Sequence, residues 1–400
     1  MHPRTADARD RFLGKVAESA LASAGDALGI ELEPFVRQYY RNTALDDLQD
    51  REVEDLAGAA LAHLRLGRKR KRGTPCIRVY NPDAGRDGWD SPHTIVQVVS
   101  DDMPFLVDST SMSLNRHGSY IHLTVHPVLP VVRDDAGVVL EVPSPEHAGP
   151  EARLESFMHL EIDRVTAPEV LQALAAGLER ALGDVRAACA DWGAMRARAR
   201  EICAELEASP PPLDAEVVKE SRELLEWMAE DHFTFLGYRE YDLVLGEDAD
   251  ELRPVPDTAL GILRRPPPRE AQENTRLAGR AIRRQARSRD LLVITKANSR
   301  ATVHRNSYLD YVAVKRFNAE GQVIGEQRFL GLWTSAAYSR NPREIPLLRD
   351  KLRRVIANSG LRPDSHGGKA LVHILDTYPR DELFQSSLED LIRISTGLYS

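Results

Sequence analysis

HTIVQVVSDDMPFLVDSTSMSLNRHGSYIHLTVHPVLP, residues 93–130, changes its apolar period twice, and those changes decide the fold. Ile95, Val96, Val98 and Val99 suit a buried strand. Ser100-Asp101-Asp102-Met103-Pro104 makes a polar turn in which Pro104 presets φ and can enter a first helical turn. Phe105, Leu106, Ser109, Met112 and Ser113 then fall at helical spacing, and His117-Gly118 supplies an αL stop. A second strand, Ile121–Val132, completes a β-turn-α-β unit with an Asp-x-Pro loop at the helix N-terminus. Such a unit fits a small regulatory module rather than a catalytic centre.

Upstream, residues 5–67 read as helical. Phe12, Val16, Ala20 and Leu21, then Leu32, Phe35, Val36 and Tyr39, recur at helical spacing, and Thr43 is expected to cap a third helix over Leu45–Leu66. That helix runs into Arg68-Lys69-Arg70-Lys71-Arg72. With no interleaved aromatics and an acidic chain, these cations are expected to be solvated and to complement the helix dipole rather than to bind nucleic acid. Cys76–Tyr80, the opening unit, a hairpin at Asp134–Gly137, a strand over Ser156–Val165 and a helix from Ala167 to about Leu206 give the order of a ferredoxin-like α+β sandwich.

Downstream, Glu207-Ala208-Ser209-Pro210-Pro211-Pro212 is a stiff linker. Beyond it, Asp214 caps a helix, and short strands over 233–244, 259–263, 291–296, 308–317 and 323–334 suggest an antiparallel α+β domain of PAS type. Arg264–Asp290 between them is basic and Pro-rich. The expected organisation is a helical segment over 1–72, a sandwich over 73–206, a linker over 207–213, a PAS-like domain over 214–340 and a helical segment over 341–400. Ser386–Ser400 reads as a helix opening a further unit, so the chain is expected to belong to something longer.

Composition narrows the function classes. The formal net charge of -8 argues for solubility and against a general nucleic-acid binder. Three cysteines without a CxxC suit a reduced, cytoplasmic compartment. No apolar run approaches a membrane span, and the N-terminus lacks a signal-peptide core.

Motifs for chemistry are sparse. GxGxxG after a strand and GxSxG are absent, and Ser365-His366-Gly367-Gly368-Lys369-Ala370 lacks both the earlier glycine and the Ser/Thr of a phosphate loop. It reads as a Gly-rich turn before a helix. Tyr378–Phe384 reads as a helix junction with a local Arg–Asp pair. His122, Thr124 and His126 alternate with Ile121, Leu123 and Val125, and two strand histidines at i and i+4 are too far apart for one tetrahedral metal. No metal is therefore expected, and His122 and His126 are candidate interface residues. Asp102, Met103, Pro104, Phe105 and Asp108 form a candidate effector loop, where helix N–H groups could hold a carboxylate and Asp102 an ammonium. The alternative is that Asp102 simply caps the helix.

The stretches together are more specific than any one. Asp102-Met103-Pro104-Phe105-Leu106-Val107-Asp108-Ser109, His126-Pro127, Asp231-His232-Phe233-Thr234-Phe235-Leu236-Gly237-Tyr238-Arg239, Arg328-Phe329-Leu330-Gly331-Leu332-Trp333-Thr334-Ser335 and Tyr378-Pro379-Arg380-Asp381-Glu382-Leu383-Phe384-Gln385 follow in that order. They resemble the N-terminal region of the large bacterial NAD-specific glutamate dehydrogenases, over residues 30–400. The resemblance implies ACT-type domains and a PAS-like segment ahead of a catalytic domain beyond residue 400. It further implies oxidation of L-glutamate to 2-oxoglutarate and ammonium by NAD in the whole enzyme. No catalytic residue or cofactor is implied for this segment, whose role would be regulation and assembly with its own catalytic domain, with other subunits of a homo-oligomer and with an amino-acid effector. A free-standing amino-acid sensor is the alternative. One departure bears on the effector: ACT turns that bind amino acids place Gly after the proline, where Phe105 stands here.

Overall fold

The computed structural model describes residues 3–24, 30–265, 276–362 and 364–397, with the side chains of 3–6 and 395–397 excepted. Residues 266–275 of the basic stretch, Pro363 and the last three residues of the expected final helix lie outside the described residues. Contacts divide the chain into two units: Met1–Val185 with Thr302–Arg305, and Arg186–Ala301 with Asn306–Ser400. The division falls inside a helix rather than at the Pro-rich stretch 207–213. The physical reason is that Met195, Ala199, Ile202 and Leu206 share a core with Val218, Leu224 and Leu225 on the far side of that stretch.

In the first unit the chain runs α1 (Pro3–Ala24), α2 (Leu32–Tyr39), α3 (Leu45–Gln49), α4 (Val53–Gly67), β1 (Cys76–Tyr80), α5 (Ala84–Asp87), β2 (Thr94–Asp101) and α6 (Leu106–Arg116). It continues through β3 (Ile121–Val125), β4 (Val128–Arg133), β5 (Val139–Glu141), β6 (Arg153–Ile162) and α7 (Pro168–Ala208). The sheet order is β1-β2-β6-β4-β5, with β3 also on β6. β3 and β4 pair with successive stretches of β6, Val125 opposite His159 and Val128 opposite Ser156. The strand expected over Ile121–Val132 is thus one path broken at His126-Pro127. Pro127 has no N–H for the ladder, although its carbonyl still accepts from Phe157 N at 3.0 Å. The β2-α6-β3/β4-β6-α7 order is ferredoxin-like, but the outer strand beside β2 is β1, which precedes the sandwich instead of following α7.

The third expected helix is also broken, into α3 and α4, and Ala44 rather than Thr43 stands at the N-cap of α3. Helices α1, α2 and α4 are not a separate segment: Val16, Phe35, Val36, Leu61 and Leu64 share one core with Val99, Leu123, Val125 and Phe157 of the sheet. The basic run corrects another expectation. Arg70 is buried, at 3 % exposure, and pairs with Glu155 and Asp101 at 2.7 Å each, while Arg133 joins Glu155 at 2.7 Å.

The second unit holds α8 (Ala215–Trp227), a π turn (Met228–His232), β7 (Phe233–Val244), β8 (Asp250–Pro254), β9 (Leu260–Gly261), β10 (Arg276–Leu277), α9 (Arg280–Arg287), β11 (Leu292–Arg300), β12 (Tyr308–Phe317) and β13 (Val323–Trp333). Helices α10 (Ser335–Ser339), α11 (Leu348–Asn358), α12 (His366–Thr377), α13 (Arg380–Gln385) and α14 (Leu388–Gly397) follow. The sheet order is β10-β8-β7-β13-β12-β11, with β9 on β7. A hairpin, an insertion and a meander whose last strand returns beside the first make one antiparallel sheet, in keeping with the α+β class. β8 and β10 escape the sequence reading because Asp250-Glu251-Leu252-Arg253-Pro254 is charged and ends in proline.

The C-terminal helices are part of the same body, since Leu352, Leu371, Leu383, Phe384 and Leu391 share a core with Phe235, Phe329 and Trp333. The Phe384 ring stacks on Trp333 at 4.6 Å between centroids. The local Arg380–Asp381 pair does not form; Asp381 accepts from Tyr338 Oη at 2.9 Å and pairs with Lys296 at 3.1 Å. At the Gly-rich turn, Ser365 Oγ caps α12 by accepting from Gly368 N at 3.0 Å.

Candidate functional site

Asp102 and Pro104 are exposed, Met103 and Phe105 are half-buried, and Asp108 is exposed. Helix α6 begins after Pro104, not at it. Its N-cap is Phe105, held at φ 70° with no side-chain cap, so Asp102 does not occupy the capping position. The left-handed conformation here is one that Gly adopts freely and Phe does not. Thr302–Arg305, which belongs to this unit, packs beside it. His304 N donates to Ser109 Oγ at 3.2 Å, and its ring lies 4.8 Å from that of Phe105. Its Nδ1 is 4.0 Å from Asp108 and is buried without a hydrogen-bond partner. His304 of the same unit thus packs on Phe105 and Ser109 at the start of α6, while Asp102, Pro104 and Asp108 stay exposed.

His122 and His126 share the face opposite Leu123 and Val125 but engage separately. His122 Nε2 meets Asp163 at 2.8 Å, and its ring stacks on His93 at 4.3 Å. His126 Nε2 meets Ser156 Oγ at 2.7 Å, and burial lowers its pKa against the pull of Asp102. Among the described residues, no group of three or more His, Cys, Asp or Glu is placed to hold a metal ion, and no helix is long and apolar enough to cross a membrane.

A second site lies on the face of the sheet covered by α1–α4, and it rests on residues the sequence did not single out. Gln97 on β2 donates through Nε2 to Ala59 O at 3.0 Å and to His159 Nδ1 on β6 at 3.2 Å. Tyr80 Oη donates to Gln97 Oε1 at 3.4 Å. With Nδ1 accepting, His159 carries its proton on Nε2, 3.9 Å from Glu161 Oε1. Arg51, in the break between α3 and α4, donates through Nε to both Glu161 oxygens at 3.0 and 3.2 Å. Burial alone would raise the Glu161 carboxyl, but the nearby His159 and the Arg51 hydrogen bonds outweigh it and hold the pKa at about 2. This row opens onto a cavity of about 380 Å³ whose walls include Tyr40 and Trp89. Arg51 and Glu161 stand 110 positions apart, so no local pattern could pair them.

Residues 35–178 match the family described as glutamate dehydrogenase, ACT1 domain, and residues 345–400 match glutamate dehydrogenase, helical motif 1; together they take in half of the chain. The NAD-specific glutamate dehydrogenase of Halomonas elongata is 37% identical over 400 residues, all of this chain and 25% of that protein. The enzyme of the same name from Pseudomonas aeruginosa is 37% identical over 396 residues, 98% of this chain and 24% of the relative. The chain belongs to the NAD-specific glutamate dehydrogenase family. It corresponds to an N-terminal region and spans about a quarter of the length of these relatives. The Mycobacterium tuberculosis glutamate dehydrogenase is more distant, 28% identical over 345 residues, 84% of this chain and 19% of that protein. The ACT1 match runs from α2 into α7 and contains both the loop at α6 and the cavity.

Proposed function

We propose that this chain is the regulatory and assembly region of a large NAD-dependent glutamate dehydrogenase. In the whole enzyme, L-glutamate, NAD and water yield 2-oxoglutarate, ammonium and NADH in a domain beyond residue 400. The observation that carries the reading is 37% identity along the entire chain to relatives four times its length. NAD then belongs to the catalytic domain, the partners are that domain and the other subunits of a homo-oligomer, and the compartment is the cytoplasm. Regulation by an amino acid fits an ACT1 unit.

The test is steady-state kinetics of the full-length enzyme, with NADH formation followed against L-glutamate in the presence of other amino acids. Arg51→Ala should alter the response to amino acids or the subunit number seen by light scattering, while kcat stays within about two-fold. Wild-type enzyme with no glutamate-dependent NADH formation would refute the assignment. Normal kinetics and assembly after both Arg51→Ala and His304→Ala would refute the regulatory role.

A further inference from the structure

In the second unit, three strands and two helices meet around one lysine. Lys296 on β11 stands directly opposite Asp310 on β12 in the antiparallel register, and its Nζ lies 2.6 Å from Asp310 Oδ1. The same Nζ lies 3.1 Å from Asp381 Oδ2 on α13. A lysine against one carboxylate is an ordinary ion pair. Here two acids of different character face one nitrogen. Asp310 is 2 % exposed, and its second oxygen, Oδ2, accepts Trp333 N at 3.0 Å from the end of β13. Asp381 is half-buried, and Tyr338 Oη on α10 donates to its Oδ1 at 2.9 Å, which leaves Oδ2 to the lysine.

Burial raises the Asp310 pKa against the pull of Lys296 and of the Trp333 N–H, and Asp381 adds to the rise. A proton on this carboxyl makes Cγ a better electrophile than it is in a carboxylate. The parts are those of acyl transfer: an amine nucleophile, a carboxyl polarised by a backbone N–H, and a second carboxylate able to carry a proton. Strand pairing already holds the two reacting groups in register.

We propose that Lys296 and Asp310 join in an intramolecular isopeptide bond, with Asp381 as the proton carrier. The ammonium first gives a proton to Asp310 Oδ1, leaving a neutral amine beside a carboxylic acid. The Nζ lone pair then forms a bond to Cγ, the Trp333 N–H holds the oxyanion developing on Oδ2, and Asp381 takes a second proton from the nitrogen. Asp381 passes that proton to Oδ1, the Cγ–Oδ1 bond breaks, and Oδ1 leaves as water. Two protons and one oxygen depart, nothing is oxidised or reduced, and no co-reactant is needed. The bond fastens β11, an outer strand of the second sheet, to β12. It does not depend on the regulatory reading above.

Tryptic peptide mass spectrometry of the denatured full-length protein tests it. Trypsin does not cut after an acylated lysine, so residues 290–300 should appear joined to residues 306–315, lighter by one water than the two peptides combined. Fragmentation should place the link between Lys296 and Asp310. Lys296→Arg keeps the positive charge but not the nucleophile, and the joined species should vanish. Asp381→Asn keeps the shape but carries no proton, and most of Lys296 should then be recovered free, in a peptide of residues 290–296. Separate recovery of 290–296 and 306–315 from wild-type protein, with no joined species, overturns the proposal. A link at other residues, or one as abundant in Asp381→Asn as in wild type, also overturns it. Circular dichroism checks that each variant is folded, and the wild-type digest decides the bond by itself.

Discussion

Phe105 holds φ at 70° where the turn into α6 demands a left-handed residue, and the His304 ring packs against it. Left-handed backbone costs an L-residue with a Cβ about 1–2 kcal/mol. Phe105→Gly should therefore be more stable than Phe105→Ala by about 1 kcal/mol, the reverse of the usual order; urea unfolding of the two variants checks this. His63 makes a different demand. Tyr39 Oη donates to its Nδ1 at 2.8 Å, and its Nε2 donates to the Val98 carbonyl at 3.1 Å, which leaves no place for a second ring proton. Burial first, then His159, lowers its pKa to about 3. An unfolded histidine protonates near 6.5, so the stability contributed by His63 is complete above that pH and is lost as pH falls from 6.5 towards 3. The loss is about 2 kcal/mol by pH 5. Urea midpoints measured from pH 7 to 5 should fall in wild type and flatten in His63→Gln. A sequence reader sees the Asp-x-Pro turn readily, because proline and aspartate are local signals. The positive φ at Phe105 is invisible, since nothing local marks it and the ring packed on it, that of His304, lies about 200 positions away.

Helix α4 owes its closeness to Trp89, in the loop between α5 and β2, to one missing methyl group. A Cβ on Gly58 would fall 2.3 Å from Trp89 Cβ. Ala is worth about 1 kcal/mol over Gly within a helix, yet Gly58→Ala should lower stability by about 1–3 kcal/mol through overpacking, as a reduced melting temperature. Two other helices end on lysines. Lys351 Nζ donates to the carbonyls of Leu383, Phe384 and Ser386 at 2.8, 3.1 and 2.9 Å, closing α13. Lys315 Nζ donates to Ser288 O and Oγ at 2.7 Å beyond α9. Lys351→Met leaves three carbonyls without that donor, should cost about 1–3 kcal/mol, and should speed hydrogen exchange across 380–386. The elements themselves were largely legible, because strands of period two and helices of period 3.6 alternate cleanly around α6. The break between α3 and α4 was not, for Leu45–Leu66 keeps its helical apolar spacing through Asp50–Glu52. In the break, Arg51 reaches Glu161, a partner that local spacing does not reveal.

At the scale of the molecule, the described residues form two large hydrophobic cores, one built from residues between Leu13 and Phe157, the other from residues between Met195 and Leu391. Scanning calorimetry should resolve two transitions. Acidification from pH 7 to 5 should lower chiefly the one containing His63, and that selectivity should vanish in His63→Gln; a single transition insensitive to the substitution would contradict it. The α+β class and both sheets could be anticipated from patterning, whereas Arg70 could not. A run of five bases looks like solvated surface until Asp101 and Glu155 are seen beside it.

The helices that roof the sheet carry a practical consequence for anyone cutting the gene. The ACT1 match opens at Phe35, in the middle of α2. An expression clone begun there would discard Leu13, Val16, Ala17, Ala20 and Leu32, all buried against what remains. It would leave a bare oily surface where the native protein has a lid. Such a product belongs in inclusion bodies, and the useful start codon lies ahead of α1.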